Sequence, residues 1–241
     1  MPFVSSPSHE DLPNAPWVKR RPAKAARTPL SRDVVVDAAM RVLAAEGIGA
    51  LSMRRVAQEL DTGPASLYAH VSGKEELLDL MLDRVAGALV VPDPDPDHWQ
   101  AQVKQVVRDI FHGFLAHPGL AGANLGKIPT GPGALATIDR FLAILRAGKL
   151  PDRVVAYAAD ILPLYATAYA FEEGLFAGGR SEEDAHRYYA QIDEFFRSLP
   201  AARFPNIAAL TDVLAGEEEP GARFEFGLEM LVTGIAAQAR S

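Results

Sequence analysis

51-LSMRRVAQELDTGPASLYAHVSGKEELL-78 is the stretch that decides the fold. Ser52 is a strong N-cap for a helix in which apolar residues recur at i, i+3, i+4 and i+7. Those residues are Met53, Val56, Ala57 and Leu60. The helix is predicted to end at the turn 61–63, after which Pro64 opens a short helix through His70. Two short helices joined by a tight, glycine-containing turn are typical of a helix-turn-helix motif.

Helices are also predicted on both sides of this motif. Upstream, Ser31 is placed to cap a helix that Gly47 would terminate. Downstream, a further helix starts at Lys74 and leads away from the motif. We therefore predict a three-helix helix-turn-helix domain at residues 31–76 and a larger helical domain at residues 77–241.

The larger domain repeats the helical pattern without any strand-like alternation. Asp97 and Gln100 form a capping box before its first apolar segment. Apolar residues recur every three or four positions in segments at 103–114, 135–145, 154–171, 188–196 and 224–235. The sequence therefore predicts an all-α fold.

Basic residues are concentrated near the N-terminus, although the formal net charge of the chain is -7. They are Lys19, Arg20, Arg21, Lys24, Arg27 and Arg32, with no acidic residue among them. Interleaved prolines preclude a regular helix, so residues 1–30 are predicted to form a flexible basic arm. Such an arm either follows DNA phosphates and the minor groove or is a solvated tail, and both interpretations stay open.

Composition excludes several classes of protein. The absence of cysteine rules out disulfides, zinc–thiolate sites and cysteine nucleophiles, and it is compatible with a cytoplasmic location. The histidines within 98–117 lack a paired metal-ligand spacing, so neither a metal nor a cofactor is expected. The apolar stretch 154–171 approaches the length of a membrane span, but Asp160 and Pro163 interrupt it, and we predict a buried soluble helix with no membrane partner.

The helix-turn-helix motif points to DNA, because its second helix enters the major groove. A cation in the first turn of the preceding helix is disfavoured by the helix dipole unless an external anion is bound. Small side chains permit close approach to bases, and a lysine beside free backbone N–H groups suits a phosphate. The predicted contacts are Arg54, Arg55, Ala65, Ser66, Tyr68, Ala69, His70 and Lys74. A core role for Tyr68, a packing role for His70 and mere solvation of Arg54 are the alternatives.

A second subunit is predicted from the apolar helix at 152–176. One stripe of this helix contains Ala158, Leu162, Tyr165 and Tyr169, and the other contains Ile161, Leu164, Ala168, Phe171 and Leu175. A helix that is apolar all round must be buried all round, so one stripe is expected to face a partner together with the last helix, where Gly227 and Gly234 permit close approach. An intramolecular core is the alternative.

A small-molecule pocket is predicted beside the same helix. Pro163 should kink the helix and free a carbonyl group, which makes room for a cavity. The candidate ligand-binding residues combine apolar bodies with a few polar tips, as ligand sites do, although core packing explains each of them equally well. They are Phe111, Asn124, Phe141, Tyr165 and Tyr169.

The ordered residues 51–60, Gly63, 66–71 and 74–78 resemble the tetracycline-repressor (TetR) family. The resemblance is close from Ser31 to Met81 and looser beyond. In the looser part, Trp99, His117-Pro118, Gly131-Pro132 and 224–228 resemble the C-terminal domain of the tetracycline-repressor branch. The resemblance implies a homodimer that binds a palindromic operator and is released by a ligand. It places Arg54, Ser66, Tyr68, His70 and Lys74 at DNA-contacting positions.

We therefore expect a ligand-responsive transcriptional repressor. Its expected partners are a double-stranded DNA operator, a second copy of the chain and an unidentified small-molecule effector. A helical enzyme is the main alternative, but the sequence contains no Walker loop, G-x-G-x-x-G, G-x-S-x-G or H-E-x-x-H motif, so we predict no enzymatic activity. DNA binding without an effector is the other alternative.

Overall fold

The computed structural model describes residues 29–117, 119–177, 182–215 and 221–239. Within these ranges the chain forms helices and no strand, which confirms the predicted all-α fold. The helices are α1 (Arg32–Glu46), α2 (Met53–Glu59), α3 (Pro64–Leu67), α4 (Lys74–Gly87), α5 (Trp99–Leu115), α6 (Leu120–Asn124), α7 (Pro132–Ala147), α8 (Asp152–Ala177), α9 (Glu182–Ser198), α10 (Pro205–Leu214) and α11 (Ala222–Ala236). The predicted arm at residues 1–30 lies almost entirely outside the described residues.

Both predicted serine caps of the N-terminal helices are present. Ser31 Oγ accepts a hydrogen bond from the Val34 N–H at 3.3 Å, and Ser52 Oγ accepts one from the Arg55 N–H at 3.2 Å. Gly47 ends α1 with φ at 76°, a backbone conformation that glycine adopts readily. We call α1, α2 and α3 together the head. Its buried side chains include Val35, Ala38, Val42, Leu51, Val56 and Leu67.

The helix opened by Pro64 is shorter than predicted. α3 ends at Leu67, and residues 68–70 form a turn in place of further helix. The N–H groups of His70 and Val71 both donate to the Leu67 carbonyl oxygen at 2.9 Å. The turn brings Val71 into the core, where its side chain is almost fully buried, and removing this apolar surface from water favours the turn.

The predicted capping box at Asp97 and Gln100 is wrong. Helix α5 begins at Trp99 without a side-chain cap. The corner before it is organised by Gln102, whose Oε1 accepts from the Asp95 N–H at 2.9 Å and whose Nε2 donates to a backbone carbonyl. Gln102 thus satisfies one backbone donor and one backbone acceptor of this corner.

Helix α5 lies at the centre of the larger part of the chain, where it packs against α7, α8 and α11. Helix α4 runs from the head along α7, and α6 packs against α8. Helices α9 and α10 pack against each other. The short helices α6 and α10 were not predicted, because a segment of fewer than three turns shows too little periodicity.

Among the described residues, one stretch of helix α8, Asp152–Gly174, is long and apolar enough to cross a membrane. Its buried residues nevertheless include Leu162, Ala166 and Ala170, and it packs against four other helices of the chain. The packing is that of a core helix with one exposed face. Pro163 lies inside this helix, and the Thr167 hydroxyl donates to the Pro163 carbonyl oxygen at 2.8 Å.

Candidate functional sites

The predicted DNA-contacting residues are displayed around α3. Ala65, Ser66 and Ala69 are exposed, and so is Lys74 at the start of α4. Tyr68 is 54% exposed, whereas the inward position of this segment is occupied by Leu67. The exposed polar side chains are therefore free to meet a DNA groove, and Tyr68 is not a core residue.

Two adjacent arginines of α2 have different environments. Arg54 is exposed, and its side chain has no hydrogen-bond or ion-pair partner in the described part of the chain. Arg55 is half-buried and bound by Glu46 at 2.6 Å and by Glu59 at 3.1 Å. The hydrogen bond to Glu46 is the main reason that the pKa of Arg55 is raised. Arg55 is thus directed toward its own protein, contrary to its predicted place in the DNA contact set.

The turn after α3 is held by Ser72, Glu76 and Arg32, for which the sequence predicted no role in this turn. Glu76 accepts hydrogen bonds from the Ser72 N–H at 2.7 Å and the Ser72 hydroxyl at 2.6 Å, and the hydroxyl bond is the main cause of its lowered pKa. Arg32 donates to the His70 carbonyl at 3.3 Å and to Glu76 at 3.4 Å. The position of His70, which is partly buried, is therefore fixed by the hydrogen bond that its backbone carbonyl accepts from Arg32. The serine–glutamate spacing at the start of α4 is the signal that could have revealed this support.

A cavity of about 580 Å³ lies among α4, α5, α7, α8 and the segment 127–131. Of the five predicted ligand-binding residues, Asn124 and Phe141 line it. Pro163 also lines it, as expected of a residue that makes room in α8. Other lining residues are Leu80, Leu82, Asp83, Val85, Leu89, Val106, Ile110, Phe114, Thr137, Ile138, Ala159 and Thr167. The sequence predicted α4 as a helix but did not assign it to a pocket, because a helical pattern does not show which neighbouring helices its faces will meet.

The other three predicted residues, Phe111, Tyr165 and Tyr169, do not line this cavity. They form an aromatic cluster with Phe224 of α11, with ring centroids 4.3 Å, 5.4 Å and 5.7 Å from that of Phe224. The Tyr165 hydroxyl donates to the Phe224 carbonyl at 2.8 Å, and burial raises the Tyr165 pKa. These side chains lie on the α11 side of their helices, so they hold α11 in place. Phe111 and Phe224 also border a second, open cavity of about 540 Å³.

The polar groups of the main cavity mostly have partners within the protein. Thr137 donates to the Ala86 carbonyl at 2.8 Å, and Lys127 donates to Asp79 at 2.6 Å. The bond to Asp79 is the main reason that the pKa of Lys127 is raised. No cluster of three histidine, aspartate or glutamate side chains that could hold a metal occurs among the described residues. The lining thus combines aliphatic and aromatic side chains with polar groups that are already paired within the protein.

An exposed apolar face runs along α8 and α11. Ile161 and Leu164 on α8 are about half exposed, and Phe226 and Met230 on α11 are more so. Ala168 lies on the same face of α8 and is exposed.

Not every residue that was predicted to face a partner is seen on this exposed face. The exceptions are two residues of the predicted stripe on α8 and one of the two predicted glycines on α11. Phe171 lies against Gly122 of the same chain, and Leu175 is outside the described side chains. Gly227 lies against the Tyr165 hydroxyl, so its small size serves contact between α8 and α11 within one chain. Gly234 meets no neighbour that an added Cβ would touch.

Two family models match this chain. "Bacterial regulatory proteins, tetR family" matches residues 35–81, and "Tetracyclin repressor-like, C-terminal domain" matches residues 91–239. The chain belongs to the tetR family. This TetR-family protein is 34% identical to the HTH-type transcriptional repressor DrrR1 of Streptomyces coeruleorubidus, over 90% of this chain and 81% of that relative. It is 31% identical to an HTH-type transcriptional regulator of Saccharopolyspora erythraea, over 95% and 94% of the two chains.

A solved structure agrees with this assignment. ActR of Streptomyces coelicolor in complex with actinorhodin superposes with a TM-score of 0.82 and 41% identity, covering 88% of this chain and 98% of that one. The TetR-family protein is a ligand-responsive transcriptional repressor and not an enzyme. As predicted, operator DNA is its partner. Regulators of this family are soluble.

Proposed function

We propose that this repressor acts in the cytoplasm, reads its operator with the exposed residues around α3, and is released when an apolar molecule occupies the cavity beside α4. The position of the cavity is the observation that carries the proposal. Residues of α4 from Glu76 to Ala86, with Leu89 just beyond the helix, form one of its walls, and α4 directly follows the segment that carries Tyr68. A ligand in the cavity therefore touches the helix that is joined to the DNA-binding head.

The DNA contacts divide into base reading and phosphate binding. Ser66 and Tyr68 are at the exposed surface of the recognition segment, where a groove would meet them. Arg54 and Lys74 stand at the first turns of two helices, where backbone N–H groups also attract phosphate. Ala65, Ala69 and His70 complete the proposed surface, while Arg55 stabilises the head through its ion pairs.

We also propose that two copies associate through the exposed apolar face of α8 and α11. Leu164 and Met230 are examples of large apolar side chains there, and their removal from water favours association. Helix pairs from two subunits can then bury this face as a four-helix bundle. The two heads of such a dimer would meet successive turns of a palindromic operator.

Actinorhodin is the first effector candidate. It is the molecule bound in the ActR structure, which aligns with most of this chain. The cavity here offers many aliphatic and aromatic walls. Its polar groups are the amide of Asn124, the hydroxyls of Thr130, Thr137 and Thr167, and the charged side chains of Glu76, Asp79, Asp83 and Lys127. A ligand releases the repressor only to the extent that it binds the released conformation more tightly than the DNA-bound one.

The test is quantitative binding of the purified protein to DNA upstream of its own gene across a salt series. Sequence-specific binding that weakens with salt is expected, because phosphate contacts release counterions. A Ser66→Ala/Tyr68→Ala/His70→Ala variant should lose the specificity, whereas an Asp139→Ala variant on the exposed surface of α7 should retain it. Binding no stronger than to random DNA would overturn the proposed DNA surface.

The effector is tested in the same assay by titrating actinorhodin. Release of specific DNA by actinorhodin is expected from the parent protein. Release must be lost when the cavity is filled by Ala159→Phe, a residue that lines it. Release that persists in this variant would contradict the cavity as the effector site. Specific binding that is insensitive to actinorhodin would exclude this compound as the effector.

A further inference from the structure

The N-terminus of α7 is capped by a residue of another helix. Its own N-cap residue is Gly131, which has no side chain, and Pro132 follows without an N–H group. Asp83 of α4 supplies the missing acceptor, because its Oδ1 accepts a hydrogen bond from the Ala134 N–H at 2.8 Å. A carboxylate at this position is also favoured by the positive end of the helix dipole.

The backbones of α4 and α7 touch beside this cap. A Cβ placed on Gly133 would lie 2.8 Å from the Asp83 carbonyl oxygen and 3.1 Å from the Gly87 Cα. One turn further along, the Thr137 hydroxyl donates to the Ala86 carbonyl at 2.8 Å. We call these contacts the α4–α7 joint. They leave little freedom for α4 to slide or tilt relative to α7.

The opposite side of α4 holds the head. Arg84 is bound to Asp33 at 2.9 Å and also to Asp37, both on α1. Near the other end of α4, Glu76 accepts a hydrogen bond from Arg32 at 3.4 Å. Asp83 and Arg84 are consecutive, so the same turn of α4 is attached to the head on one side and to α7 on the other. A tilt of α4 at the joint must therefore carry the head with it.

The joint is also a wall of the main cavity. Asp83, Gly131, Ala134 and Thr137 line the cavity as well as form the contact between the helices. We propose that Asp83 is the positioning residue that sets the orientation of the head through the α4–α7 joint. This role requires neither ligand nor DNA.

The orientation of the head is measured by electron–electron double resonance. The chain contains no cysteine, so Gln58→Cys on α2 and Asp139→Cys on α7 can carry nitroxide labels at two exposed positions. Labelled protein is diluted with unlabelled protein so that each dimer holds one labelled pair. In this background Asp83→Ala should broaden the distance distribution and weaken operator binding about tenfold, the scale of a typical coupling between sites.

Matched variants distinguish an effect on the orientation of the head from an effect on the stability of the protein alone. Asp83→Asn keeps an oxygen that can accept from the Ala134 N–H, so it should restore the parent distribution. Asp79→Ala removes a carboxylate from the same helix, but its partner is the Lys127 side chain and not α7 backbone, so the distribution should not change. Gly133→Ala should shift the distribution without altering charge, because its Cβ must push α4 away.

The inference is overturned if Asp83→Ala and Gly133→Ala both fold and both give the parent distance distribution. A lower melting temperature alone would then show that Asp83 merely stabilises α7. If Asp83→Ala does not fold, Gly133→Ala and Asp83→Asn decide the question. Because the distances are recorded without DNA or ligand, failure of operator binding or of actinorhodin response would leave this result separate from the proposed function.

Discussion

The Arg55 guanidinium is clamped by Glu46, with Nη2 2.6 Å from Oε1, and Glu59 binds the same group one turn further along α2. Arg54 precedes it in the chain and has no side-chain partner in the described ranges. Two neighbours of identical chemistry thus have opposite surroundings. The first is available to DNA, and the second ties α2 to the end of α1.

This contrast predicts opposite phenotypes for two alanine variants. Arg54→Ala should weaken binding to all DNA sequences and reduce the slope of log affinity against log salt by about one, because a phosphate contact is lost, without changing the melting temperature. Arg55→Ala should lower the melting temperature and leave operator affinity nearly unchanged below it. Fluorescence anisotropy and thermal unfolding of both variants provide the check. Equal losses of DNA affinity with equal stability would contradict the assignment.

Filling the cavity should separate DNA binding from ligand response. Ala159→Phe places a ring in the space that the ligand needs, so operator binding should persist while actinorhodin no longer releases the DNA. Ala136→Phe makes the same change at an exposed site on α7 and should respond like the parent. Anisotropy competition measures both. A normal ligand response from the filled variant would be incompatible with this site.

The dimer face predicts that a single charge will dissociate the subunits. Leu164→Glu should shift the protein toward monomer in analytical ultracentrifugation and weaken operator binding, because a carboxylate would be buried between two helices. Leu135 of α7 is also 51% exposed, as Leu164 is, but it lies off that face. Leu135→Glu should stay dimeric. A dimeric Leu164→Glu variant would place the interface elsewhere.

The pairing of Arg108 with Glu225 predicts a dependence of stability on pH. Arg108 Nε and Nη2 each lie 2.7 Å from a Glu225 carboxylate oxygen, and this hydrogen bonding lowers the Glu225 pKa from its ordinary 4.5. A lowered carboxylate pKa stabilises the folded state above the ordinary value, and this contribution is lost as the pH falls through the lowered pKa. Glu225→Gln should therefore reduce the free energy of unfolding at pH 7, with a difference from the parent that shrinks under acid conditions.

Urea unfolding at pH 7 and at successive values below 4.5 measures this difference. Glu194→Gln is the control, because that glutamate is exposed on α9 and has no partner within the described side chains. Its effect on stability should be small at every pH. A Glu225→Gln difference that stayed constant into acid would show that the charge of the pair is not what stabilises α11 against α5.

Local signals identified much of the head correctly. The caps at Ser31 and Ser52 and the start of α4 at Lys74 depend on residues within one or two turns, so a single sequence contains them. The length of α3 was overestimated because the burial of Val71 overrides the helical pattern of its own segment. The short helix α6 was not predicted, because its five residues are too few to show a helical repeat of apolar positions.

Local patterns are enough to predict the all-α fold, the helix-turn-helix motif and the family, because helical periodicity, caps and turn residues act over short distances along the chain. The tertiary structure was needed to show which groups meet across helices. It paired Arg55 with Glu46, moved Tyr165 and Tyr169 from the predicted pocket into contact with Phe224, and placed Asp83 at the N-terminus of α7. Such contacts depend on the rotation and spacing of packed helices, which many residues set together.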